Sequence, residues 1–151
     1  MGDQTSPQPE VRVQPRGMTD PTTCMDVTEG EARYLLALYD LAHDDRTISQ
    51  ANLARRVGVS HPTALEMVRR LRSVELVDAE QLKLSPTGMS AALVLASRRQ
   101  AAEVLARDLL GVPEPQAHAE AEALATTLSP VLAQHLVAWR ARNAHLQSES
   151  A

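Results

Sequence analysis

Three aromatic side chains, Tyr34, Tyr39 and Trp139, are all that this chain of 151 residues contains, and it has no phenylalanine. A buried core must then be assembled from leucine, valine, alanine and methionine, a palette that favours helices over a sandwich of sheets. Apolar residues make up 44% of the sequence, enough for one ordinary domain or two small subdomains and too little for a large multidomain enzyme. The expected class is mainly α.

The boundaries of those helices are written in small polar residues and glycines. Residues 1–25 hold four of the nine prolines and no apolar periodicity, which predicts a disordered leader. Thr28 and Glu31 spell a capping box ahead of an apolar stripe at Leu35, Leu38 and Leu41, giving a first helix that ends near His43-Asp44-Asp45. Ile48 is a candidate short strand. Ser49 caps a compact helix with Leu53, Ala54 and Val57 inside, and Gly58 stops it. Ser60 caps the next, in which Pro62 falls in the first turn and Ala64, Val68 and Leu71 form the inward face. Leu76 to Leu84 fits a tight hairpin of two short strands around Ala79-Glu80. Ser85-Pro86 opens a long helix running to Leu110 with Gly111 as its stop; a short helix spans about 116 to 127; Ser129-Pro130 caps a last helix through Trp139, and the tail from Asn143 frays.

Two short helices about a glycine turn, the second continuing into Arg69, Arg70 and Arg72, form a helix-turn-helix pattern, and the hairpin after it makes the unit a winged helix. Charge distribution agrees. The net charge is −4, yet residues 46–99 carry eight arginines and Lys83 against Glu66, Glu75, Asp78 and Glu80, while both flanks are acidic. A basic middle between acidic flanks is a plausible footprint for phosphate binding, with solvated helix faces as the bland alternative. The single cysteine, Cys24, excludes an internal disulfide, no early apolar stretch resembles a signal peptide, and no run approaches a bilayer span, so the expected location is the cytoplasm, without a membrane. Spaced Cys clusters, His-Glu-x-x-His, Gly-rich phosphate loops and nucleophile triads are absent from the sequence, so an enzyme is not expected.

The order of a Tyr-bearing first helix, NLARRVGVSHPTALEMVRRLRSVELV, LKLSPTGMSAALVLASRRQAAEVLARDLLGV and HAEAEALATTLS resembles the metal-responsive repressors typified by diphtheria toxin repressor and the manganese transport regulator. Leu-Ser-Pro-Thr-Gly at 84–88, Glu103 eight residues before Gly111, and His118 eleven residues before Ser129 carry most of the likeness, which covers roughly residues 28–140. It implies a winged-helix DNA-binding domain over 26–85, an all-helical dimerisation domain over 86–142 with a vestigial metal site, and a flexible tail over 143–151. The end of the chain falls where the shorter manganese branch ends.

The resemblance also implies a metal site from which this chain departs. Arg33 stands where the family has a first-helix Met or Asp ligand, Leu36 where the manganese branch has Glu, and Arg99 where a His lies four residues ahead of Glu103. Ala125 and Thr126 replace Glu-His on the short helix; Glu103, His118 and Glu122 survive. His118 and Glu122, spaced i, i+4, share a helix face. Three readings stay open: Arg33 and Arg99 replace the metal by salt bridges to Glu122 and Glu103; Glu103, His118 and Glu122 hold a divalent transition metal such as manganese, iron or zinc with water; or all are simply exposed.

The leading functional reading is a homodimeric, sequence-specific transcriptional regulator, a repressor by resemblance, that binds a double-stranded DNA operator and is metal-independent or altered in metal response. Ser60, His61, Thr63 and Glu66 lie where side chains reach base edges, Glu66 facing cytosine N4. Arg69 and Arg70 meet phosphates, and Gln81 and Lys83 form the wing contact. Dimerisation is assigned to the carboxyl-terminal helices with the first helix, through residues such as Leu128, Leu132 and Leu136. The alternatives are a winged-helix protein-interaction module that has lost DNA and metal binding, toward which Glu75 in place of the family glycine points, and a DNA binder with a small organic effector. Cys24 is an exposed thiol, His135 a partly buried packing residue beside Leu132, Leu136 and Trp139, and His43 and His145 solvated.

Overall fold

The computed structural model describes residues 27–44 and 47–148; the leader, with Cys24, and the last three residues lie outside them. Among the described residues six α-helices follow one another: α1 Glu29–His43, α2 Gln50–Val57, α3 His61–Ser73, α4 Pro86–Glu103, α5 Glu114–Leu124 and α6 Pro130–Ser148, with a π-helical segment Val104–Leu109 prolonging α4. Each start obeys the local chemistry of its cap. Thr28 and Glu31 form the reciprocal capping box of α1, and the side chains of Ser49, Ser60 and Ser85 accept from Asn52, Thr63 and Gly88 N–H at the starts of α2, α3 and α4. Gly58 closes α2 in the left-handed conformation at φ 79°, which a glycine adopts without strain.

Two apolar clusters form the interior. The first is built from α1 (Leu35, Leu36, Leu38, Leu41), α2 (Leu53, Val57), α3 (Ala64, Val68, Leu71) and Leu76-Val77, and takes in Ala91, Ala92 and Leu95 of α4 with Ala125. The second joins Ala101, Ala102, Ala121, Ala133, Leu128 and Leu136. The long helix α4 belongs to both: it packs on α1 at one end and on α5 and α6 beyond. Its start is clamped to the loop after α3, because Ser85 N–H donates to the Leu76 carbonyl at 3.1 Å and Ser85 Oγ to that of Glu75 at 2.6 Å. A Cβ on Gly88 would lie 1.8 Å from the Leu76 carbonyl oxygen, so only glycine permits this approach.

Several expectations need correction. The hairpin of two strands is not formed among the described residues; one antiparallel bridge joins Val77 and Leu84, with Asp78 N–H donating to the Lys83 carbonyl. The Asp78 carboxylate itself accepts from Glu80 and Gln81 N–H, and this side-chain turn takes the place of further ladder bonds. Ile48 is not in a strand. The long helix turns π-helical after Glu103, with Leu110 N–H reaching back to the Leu105 carbonyl. The last helix continues past Asn143, whose Nδ2 donates to the Trp139 carbonyl, to Ser148. His135 is exposed, and Leu128 and Leu136 lie inside their own chain, leaving Leu132 outside. No helix among the described residues is long and apolar enough to cross a membrane.

Candidate nucleic-acid interface

α3 buries Ala64, Val68 and Leu71 completely. Helical geometry then turns Pro62, Thr63, Glu66, Arg69 and Arg70 outward, and all five are exposed. Ser60 and His61 are exposed at the amino-terminal end, where Ser60 Oγ caps the helix and lies 2.7 Å from Thr63 Oγ1. These two hydroxyls therefore answer each other in the free chain. Lys83 and Gln81 are exposed on the turn that follows. Among the described residues Glu66, Arg69 and Lys83 have no side-chain hydrogen bond or ion pair, so each is available to a ligand.

Arg70 is different. Its Nε donates to Glu31 Oε1 at 2.9 Å, while Glu31 Oε2 accepts from Thr28 N–H at 2.9 Å. One carboxylate thus completes the cap of α1 and holds the carboxyl-terminal half of α3. Burial works to raise the Glu31 pKa, but the hydrogen bonds from Thr28 and Arg70 outweigh it and leave the carboxyl below its ordinary value. Arg70, read from the sequence as a phosphate contact, spends its Nε inside the protein, and Arg69 remains as the freer of the two.

Behind the helix pair Arg33 and Arg99 find partners other than those expected. Arg99 does not pair with Glu103: its guanidinium makes a fork-on-fork pair with Asp40 of α1, Nη1–Oδ2 2.9 Å and Nη2–Oδ1 2.7 Å. Arg56 of α2 reaches the same carboxylate, Nη2–Oδ2 2.6 Å. Burial tends to raise the pKa of Asp40, yet the hydrogen bonds from Arg99 and Arg56 more than compensate and hold it below the usual range. The bond to Asp40 raises Arg99 in turn, against burial, with weaker attraction from Glu122 and Glu103. Arg33 does not pair with Glu122 either; it is exposed and donates to the Val57 carbonyl at the end of α2, 3.4 Å away. Asp40 was missed in the sequence, although it sits i+7 from Arg33 and i+4 from Leu36 on the same helix face.

Glu103, His118 and Glu122 do come together, around the imidazole. Nδ1 lies 3.0 Å from Glu103 Oε1 and Nε2 3.7 Å from Glu122 Oε1. The two ring nitrogens point in diverging directions, so one ion cannot meet the ring and both carboxylates at once, and no group of three such side chains among the described residues has the arrangement to hold a metal. At the other family ligand positions Leu36 is 4% exposed and Ala125 fully buried, both inside the first apolar cluster. A divalent cation does not fit Leu36 and Ala125, and Glu103, His118 and Glu122, the ligands in one of the three open readings, are not arranged as a three-ligand group among the described residues.

Residues 26–83 match the family described as iron dependent repressor, N-terminal DNA binding domain. Diphtheria toxin repressor of Corynebacterium jeikeium is 31% identical over 99 residues, 64% of this chain and 41% of its own length. The iron-dependent repressor IdeR of Mycobacterium tuberculosis is 31% identical over 100 residues, again 64% of this chain and 42% of its own. Among solved structures, the manganese regulator SloR superposes with a TM-score of 0.63 at 31% identity, covering 72% of this chain and 52% of that one. IdeR of T. acidophilum, at 20% identity and the same TM-score, is a likeness of fold. The chain spans about half the length of these relatives or less.

Proposed function

We propose that this chain, whose residues 26–83 match the iron dependent repressor N-terminal DNA binding domain, is a homodimeric, sequence-specific DNA-binding repressor that works without the metal of the family it resembles. Residues 26–85 read the operator and residues 86–142 carry the dimer contact. The observation that carries the reading is the outward face of α3, where Thr63, Glu66 and Arg69 stand exposed on a helix capped at Ser60 and seated by three fully buried side chains. Such a helix enters the major groove with its early residues against base edges and its later arginines against phosphates. Metal independence rests on Leu36 and Ala125 filling the core at ligand positions and on Arg99 supplying a fixed cation to Asp40. The exposed Leu109, Leu110, Val131, Leu132 and Val137 provide apolar surface for a second copy.

Two observations favour the competing reading, a protein-interaction module: Arg70 is committed to Glu31, and the acidic Glu80 sits in the same short turn as Lys83. Selection from a random duplex pool separates the two. The repressor enriches one sequence with two half-sites, Arg69→Ala weakens specific and nonspecific duplexes alike and flattens the salt slope by about one, and Glu66→Ala or Thr63→Ala changes preference at single base pairs by about 1–3 kcal/mol. A pool that yields no enriched sequence supports the interaction module.

A further inference from the structure

Three helices meet at one carboxylate. Asp40 of α1 accepts two bonds from Arg99 of α4, 59 residues away in sequence, and one from Arg56 in the last turn of α2. The Arg99 and Asp40 side chains are only 14% and 13% exposed, so the pair is screened from water along most of its surface. Arg33, a further α1 residue, holds the Val57 carbonyl one residue beyond Arg56. The apolar contacts between these helices are without direction and tolerate sliding; a bidentate guanidinium–carboxylate pair fixes both distance and angle.

We infer that Asp40 is a positioning residue for DNA binding: by gripping Arg56 and Arg99 together, it sets the angle at which α4 carries the α2–α3 helix pair and hence the separation of the two recognition helices in the dimer. The inference rests on the proposed DNA-binding dimer. Arg56 and Arg99 act through Asp40 and need not touch the duplex. A half-site is read within one copy, by α3 and the Gln81–Lys83 turn after it, so its recognition is unaffected by the tie. A pair of half-sites is read at a fixed spacing, so the tie governs how strictly that spacing is enforced.

The test uses full-length wild type, Asp40→Asn and Arg56→Ala, with three probes: the duplex enriched by wild type from a random pool, the same duplex with one half-site scrambled, and one with the half-sites moved apart by a base pair. Asp40→Asn should keep its helicity and its single-half-site affinity, lose about tenfold on the enriched duplex, and no longer discriminate against the shifted spacing. Arg56→Ala, whose arginine is 41% exposed and whose loss leaves Asp40 paired with Arg99, should shift in the same direction by about threefold and decides the matter if Asp40→Asn fails to fold. Equal losses on all three duplexes, or spacing discrimination that matches wild type, overturn the inference while the DNA-binding reading stands. A wild type that enriches no sequence overturns both.

Discussion

The two apolar clusters are built from different side chains. The one beneath the helix-turn-helix buries Leu35, Leu38, Leu53, Leu71 and Val68 completely, whereas the one among α4, α5 and α6 is mostly alanine, with Leu128 and Leu136 at its edge. Burying a leucine in place of an alanine adds about 2 kcal/mol of transfer free energy. The first cluster is therefore the richer in buried apolar area per residue. Alanines bring α4, α5 and α6 close together but contribute little each, and besides the buried Leu128 and Leu136 several large side chains of that region point outward: Leu110 is 68%, Val131 66% and Leu132 46% exposed. A thin alanine interior beneath an apolar exterior is what the proposed dimer would cover with a second copy.

The sharpest way to break this contrast is to truncate the leucine core. Leu71→Ala should cost about 2–5 kcal/mol and lower the urea midpoint of the whole chain; a shift under about 1 kcal/mol would mean the first cluster is not the stronger one. Next in size, Leu128→Glu and Leu132→Glu should part company. The buried Leu128 should yield unfolded protein, while the exposed Leu132 should yield a folded monomer by sedimentation with helicity intact. Both variants dimeric would remove the second cluster's surface from the interface.

Acid should loosen the first region through its carboxylates. Glu31 and Asp40 are held below their ordinary values in the folded chain, so the stability they contribute is fully present above about pH 5 and lost as pH falls through the lowered folded values. In thermal melts from about pH 5 downward, Asp40→Asn should show a flatter decline than wild type; parallel declines would deny Asp40 that role. The smallest effect concerns Glu75, the non-glycine residue with positive φ, 59°, among the described residues. Glu75→Gly relieves a left-handed conformation that costs a side chain about 1 kcal/mol, so the melting temperature should rise by a few degrees.

Which parts could be read from the sequence follows from how local the signal is. Thr28, Ser49, Gly58, Ser60 and Ser85 act on backbone groups within three or four residues, and the helix starts and the turn of the helix-turn-helix were legible from them. The inward faces of α2 and α3 followed from periodicity alone. Partners of long side chains did not, since Arg99 could reach Glu103 on its own helix or, as it does, Asp40 across the packing of α1 on α4. The hairpin failed for a nearer reason: Asp78 offers its carboxylate to two N–H groups that a strand pair would have used otherwise. The π-helical stretch after Glu103 left no mark in a run of ordinary helix formers.

In the proposed function a fixed guanidinium on Asp40 does the work a metal does elsewhere. The most direct test is the affinity of metal-free wild type for its enriched duplex, followed by fluorescence anisotropy with EDTA, and then with manganese, iron or zinc added back. One binding curve under all conditions is the expected result. A loss of about tenfold in EDTA, restored by one divalent metal, would contradict it and show that the chain retains a metal-dependent switch.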